Sequence, residues 1–256
     1  MVSSKFRYVL ISLSVLFLAG FAYAQPTYTA TWLDNNADGD IDQLRLDFNE
    51  AVDFTDGDGT TGIFDAITVT GGIALTNPST VDYSTITNVM TFTFDVTGAT
   101  GTADPGETIT YATGAQNTIV ATAGGLELTA NPTAIIDGAA PILLSSVPSD
   151  GDTDVAVNTT VVLTFSENVA GGSGDVSLID VTNGGTDTRD FTIGDPELVF
   201  STNTLTITPS SDLDNLVNYA VNVDATAIDD AATPANDFAA ITNNTTLDFI
   251  TIGNIP

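Results

Sequence analysis

Apolar residues recur at every second position along much of this chain. Leu44, Leu46 and Phe48 alternate with Arg45 and Asp47, and Met90, Phe92 and Phe94 alternate with Thr91 and Thr93. Val161, Leu163 and Phe165 keep the same period, as do Tyr219, Val221 and Val223. A period of two predicts strands with one buried face, because successive side chains point to opposite sides of a sheet. Gly, Asn, Asp and Pro bound these segments, Thr and Val are abundant, and no long 3.6-period stripe with helix caps is present. Many short strands between frequent turn signals predict an all-β sandwich.

The pattern also repeats. Phe48-Asn-Glu50-Ala-Val52 matches Phe165-Ser-Glu167-Asn-Val169, each closing an alternating run, and 165 − 48 gives a spacing of 117 residues. That is about one sandwich domain. A second echo relates Ala134-Ile-Ile-Asp137 to Ala227-Ile-Asp229-Asp230. The chain of 256 residues is thus expected to hold two tandem immunoglobulin-like β-sandwich domains, over 25–140 and 141–256, after a signal peptide at 1–24. The leader is read from Lys5 and Arg7, the apolar run from Tyr8 to Ala19, and the small-x-small triplet Ala22-Tyr23-Ala24. Its removal leaves no expected membrane span and places the mature protein outside the cell or on its surface.

The second module resembles a bacterial Ig-like domain of the SbsA type, found in S-layer and other cell-surface proteins. The matching residues begin with Pro141, Ser146-Val-Pro148-Ser-Asp-Gly151 and Asp154-Val-Ala-Val-Asn158. They continue through Val161-Val-Leu-Thr-Phe165-Ser-Glu167-Asn-Val169, Leu205-Thr-Ile-Thr-Pro209 and Leu216…Tyr219-Ala-Val221. They close with Ala227-Ile-Asp229-Asp-Ala and Leu247-Asp-Phe249-Ile-Thr251. Ala231-Ala232 stands where the family usually has Gly-Asn. The first module resembles related surface repeats, with a longer and looser middle. The resemblance implies a structural, spacer or adhesive role with no catalytic activity, and places Asp229-Asp230 near Glu167 at one end of the sandwich.

Charge narrows the partners. Thirty-three acidic residues face four basic ones, a formal charge of −29, although charged residues make up only 14% of the chain. Beyond the leader only Arg45 and Arg189 are basic. Phosphate backbones and anionic membranes need clustered Lys and Arg, so a nucleic-acid partner is excluded. Cations are the natural counter-partners. The chain has no Cys and no His, which removes disulfides, thiol nucleophiles, zinc and haem ligation and any His-based triad. The metal ligands that remain are oxygen atoms, which suit Ca²⁺ or Mg²⁺.

The sharpest local motif is Asp34-Asn-Asn36-Ala-Asp38-Gly39-Asp40-Ile-Asp42. Oxygen side chains at alternate positions, with Gly at the sixth, match the first nine positions of a calcium loop. Asp34, Asn36 and Asp38 offer side-chain oxygens, Asp40 a carbonyl, and Asp42 a direct or water-mediated contact. Position twelve is Arg45 and the flanks are strands, so this is not an EF-hand. Completion would come from elsewhere, with Glu50 or Asp53 in the following turn as candidates; a solvated Asx-rich turn is the alternative. Asp56-Gly-Asp58-Gly59 and Asp150-Gly-Asp152-Thr-Asp154 read first as turns. Trp32 is read as a core or edge residue rather than a sugar platform. The function expected is a calcium-stabilised, non-catalytic structural or adhesive protein. Binding to carbohydrate or other surface polymers, and assembly into an extracellular fibre, stay open beside it.

Overall fold

The computed structural model describes residues 23–55, 67–70, 80–82, 87–93, 107–112, 118–129 and 132–253. Residues 1–22 of the expected leader, Phe94 and the Asp56–Gly59 turn lie outside them.

The described elements are strands, with no helix among them. In the N-terminal half they are β1 (Tyr28–Leu33), β2 (Gln43–Thr55), β3 (Ile67–Thr70), β4 (Thr80–Asp82), β5 (Thr87–Thr93), β6 (Thr108–Tyr111), β7 (Thr118–Ala121) and β8 (Thr133–Asp137). The C-terminal half has β9 (Leu143–Val147), β10 (Asp152–Val155), β11 (Val161–Phe165), β12 (Val169–Gly171), β13 (Asp175–Asp180) and β14 (Arg189–Thr192). It continues with β15 (Leu198–Ser201), β16 (Thr204–Ile207), β17 (Asn218–Val223), β18 (Ile228–Asp230) and β19 (Asp248–Thr251).

Alternation drives both cores. Val161, Leu163 and Phe165 of β11 and Val176 and Leu178 of β13 are fully buried, as are Tyr219 and Val221 of β17. They fill the space between the sheet β15-β16-β11-β9 and the sheet β10-β19-β17-β13-β14. Neighbouring strands are antiparallel except β10 and β19, which run parallel. The start of this half thus contributes β9 to one layer and β10 to the other, the pairing of an immunoglobulin-like sandwich. Tyr219, on the strand that leads back to the chain's last strand, folds its hydroxyl onto Asp214: the Asp214 amide donates to it at 3.0 Å, and it donates in turn to the Asp187 carboxylate. This resembles the tyrosine corner of such sandwiches.

In the N-terminal half the described strands are joined in a different way. Its strands run β3-β6-β8-β1-β2-β5-β4 in one connected order, with β7 on β2. Strand β1 joins the layers by itself, antiparallel to β2 (Trp32 opposite Leu44) and parallel to β8 (Trp32 opposite Asp137). Trp32, Leu44, Leu46, Phe92, Ile109 and Tyr111 form its core. Trp32 is fully buried, and its indole donates to Glu107 Oε2 at 2.6 Å.

The first copy of the sequence repeat does not close a strand. Strand β2 runs through Phe48-Asn-Glu50-Ala-Val52 to Thr55, because its pairing passes from β5 to β7 at Val52. Glu50 and Asp53 therefore lie within a strand and not in a turn after one. In the second copy β11 stops at Phe165 and the short β12 starts at Val169. The two copies are otherwise superposable in pairing: Val52 faces Ala121 as Val169 faces Asp230, and Phe54 faces Ile119 as Gly171 faces Ile228.

Candidate metal centre at the junction

Strand β8, the last of the N-terminal half, ends at Asp137, and β9 begins six residues later at Leu143. What lies around this short link follows from alternation. Phe165, Glu167 and Val169 share one side of their segment, so Glu167 points inward with its apolar neighbours and is 4% exposed. Ile228 and Asp230 share a side of β18 in the same way, and Asp230 is 2% exposed. Asp137 follows Ile135 on β8 and is 9% exposed. The three carboxyl groups meet at the junction: each offers one oxygen, and these oxygens all lie within 4.8 Å of one another.

The shell around them is ordered by hydrogen bonds. Asp230 Oδ1 accepts from the amides of Ala232 (3.0 Å) and Asn236 (2.9 Å), and Oδ2 accepts from Asn236 Nδ2 at 2.7 Å. The same Asn236 Nδ2 donates to the Asp137 carbonyl at 3.1 Å, so one side chain ties the halves together. Asp137 Oδ1 accepts from the Ala139 amide at 3.0 Å. Glu167 Oε1, in contrast, is buried with no hydrogen-bond partner. Burial first, and then the negative charges of Asp137, Asp230 and Asp34, push the Glu167 carboxyl up to about 9.

The Asp34–Asp42 loop packs against this junction. Gly39 sits at φ +90°, and a Cβ there would lie 2.8 Å from Ser166 Cβ and 3.0 Å from Ile142. Glycine is required both for the backbone angle and for the approach to the C-terminal half. Within the loop the side chains turn inward onto backbone amides. Asp34 accepts from the amides of Asp38 (3.3 Å) and Gly39 (2.7 Å). Asn36 Oδ1 accepts from Asp38 N, Asp38 Oδ1 from Asp40 N, and Asp42 Oδ1 from Asn35 N. Asn36 and Asp38 are exposed, while Asp34, Asp40 and Asp42 are half-buried. Desolvation, and then Asp38 and Asp34, raise the Asp40 carboxyl above its ordinary value. Among the described residues, the close three-carboxylate group is Asp137, Glu167 and Asp230, and it includes none of the loop's own carboxylates.

The sequence motif and the carboxylate group are thus neighbours: Asp34 bears electrostatically on Glu167, and Gly39 abuts Ser166. Asp229-Asp230 does lie beside Glu167, with Asp230 the closer participant. Asp137 was not singled out as a ligand from sequence. The signal that reveals it is a carboxylate at an inward-facing position of an apolar strand end.

The strand pairing defines an all-β, immunoglobulin-like protein. Residues 137–251 match the family model described as a bacterial Ig-like domain, which supports a bacterial Ig-like family for this stretch. Among solved structures, a three-Ig titin segment carrying an E-to-A mutation is similar at 9% identity, over 91% of this chain and 66% of that chain, with a TM-score of 0.34. The chicken CNTN1 FN1-FN3 domains are similar at 11% identity, over 90% of this chain and 65% of that chain, with a TM-score of 0.32. The chain thus spans just under two thirds of the length of either. A search of curated proteins finds no match. No helix among the described residues is long and apolar enough to cross a membrane.

Proposed function

We propose that this is a secreted or cell-surface, non-catalytic structural or adhesive protein: two tandem Ig-like modules, the second of the SbsA type, following a cleaved leader. Calcium bound by Asp34, Asn36, Asp38, Asp40 and Asp42 stiffens the first module. The observation that carries this reading is the position of the loop. It is packed between two separately cored halves, with its carboxylates held by its own amides and Gly39 against Ser166. Ordering a loop at such a place fixes how one rigid body follows the next, which is what a spacer or stalk requires. Ligation would also offset the mutual repulsion of Asp34, Asp38 and Asp40.

The test is thermal melting of the purified protein in excess Ca²⁺ and in chelator. A cation that binds the folded state alone raises the midpoint by mass action, about 2.7 kcal/mol at one hundred times Kd. Equal midpoints in the two conditions would sink the calcium reading. Surface polymers or other surface proteins remain the partners of this proposal. A glycan platform would call for a row of exposed aromatic rings; among the described residues the large exposed hydrophobics are mainly Leu and Val, with Tyr23 the aromatic among them.

A further inference from the structure

We propose that Asp137, Glu167 and Asp230 form a second divalent-cation site, separate from the Asp34–Asp42 loop, that clasps the two halves of the chain. Its ligands come from both sides of the link: Asp137 from the end of β8, Glu167 from the segment between β11 and β12, and Asp230 from β18.

Four observations converge on it. Oxygens that lie within 4.8 Å of one another fit around a Ca²⁺ whose ligands stand at about 2.3–2.6 Å. Glu167 Oε1, on one member of the group, is a buried polar atom without a partner, and buried polar atoms are otherwise almost always satisfied. Asp230 and Asp137 are held by Asn236 and by backbone amides, which orient ligands while leaving lone pairs for an ion. Among the described residues the two arginines are engaged elsewhere, Arg45 with Asp47 and Arg189 with Asp187. The oxygen-only donor set selects a hard cation, and its carboxylate-rich character favours Ca²⁺.

The experiment is calorimetric titration of Ca²⁺, with a parallel Mg²⁺ arm, into chelator-stripped protein at physiological ionic strength. Wild type, Glu167→Gln, Asn236→Ala and Asp38→Asn are compared, and each fold is checked by circular dichroism in chelator. Glu167→Gln is expected to lose one equivalent of bound cation. Asn236→Ala keeps the ligands but loosens them, so its affinity for that equivalent should fall roughly 10–100-fold. Asp38→Asn should retain it. Loss of all binding in Asp38→Asn, with unchanged binding in Glu167→Gln, would overturn the clasp and leave the loop reading standing. The reverse pattern would establish the clasp and remove the loop site. No binding by wild type would overturn both. Small-angle scattering supplies a second readout: Ca²⁺ should narrow the spread of distances between the halves more in wild type than in Glu167→Gln, which keeps only the loop site. An equal response in the two proteins would refute the clasp.

Discussion

Replacing Glu167 by Gln should stabilise the cation-free protein, although it removes a buried carboxyl group. The carboxyl has an ordinary value of 4.5, and in the folded chain it is raised to about 9. At pH 7 the folded state therefore holds Glu167 protonated while the unfolded chain has it ionised. Taking up that proton costs 1.36 kcal/mol for each of the 2.5 pH units between 4.5 and 7, about 3 kcal/mol. Gln is isosteric, carries no such cost, and can donate to the carboxylates of Asp137 and Asp230. The sign follows from linkage. Between pH 4.5 and 9 the folded state binds the extra proton, so the Glu167 contribution to stability is fully present below about pH 4.5 and is lost as pH rises toward 9. The stability difference between variant and wild type should thus be near zero at pH 4.5 and grow with pH. At pH 7 it corresponds to roughly 10 °C in the midpoint for a unit of this size. The assay is a pair of melts in chelator across pH 4.5–8.5. Taking the difference cancels the titration of the other carboxylates that both proteins share. A variant less stable than wild type at pH 7, or a difference that does not change with pH, would refute the reasoning.

Three further substitutions test the frame. Trp32→Phe keeps an aromatic ring but shrinks it and deprives Glu107 of the indole donor at 2.6 Å, and chemical denaturation should report a loss of at least about 1–3 kcal/mol. Tyr219→Phe removes the hydroxyl shared by the Asp214 amide and the Asp187 carboxylate; a similar loss is expected, with amide exchange accelerated at Asp214. In Gly172→Ala the new methyl would fall against the Thr226 carbonyl and within 2.6 Å of the Asp229 carboxylate, so the β12–β18 pair must shift. The melt should show a cost of about 1–3 kcal/mol, and an unchanged midpoint would mean that this edge is softer than its packing implies.

The fold was legible because alternation is local. Leu44, Leu46 and Phe48, and likewise Val161, Leu163 and Phe165, declare their buried face within five residues, and all six are buried. The course of β2 was not legible in the same way. Nothing between Phe48 and Val52 marks where β5 gives way to β7, since that depends on a partner nearly seventy residues downstream. The carboxylate group is harder still, because its members are scattered: Asn236 reaches the Asp137 carbonyl across 99 residues. Spacing rules favour ligands that lie close together in sequence, so they pointed to Asp34–Asp42 and passed over Asp137. Parity is the better guide, since Glu167, Asp230 and Asp137 each interrupt an inward-facing apolar series.

The internal repeat supplies a control for the meaning of that interruption. Glu50 and Glu167 occupy matching places after the same Phe-x-Glu-x-Val start, and Val52 and Val169 face matching partners. The partner of Val52 is Ala121, buried and apolar, whereas the partner of Val169 is Asp230. The frame thus accepts a small apolar residue where Asp230 stands. Two buried carboxyl groups without a charge partner cost stability that an apolar pair would not, and among the described residues both arginines pair elsewhere. The difference between the copies coincides with a feature of the second copy's surroundings: it lies where Asp137 and the Asp34–Asp42 loop arrive from another half. A carboxylate group that costs stability without a cation, placed where the two halves of the chain meet, is what the proposed clasp requires.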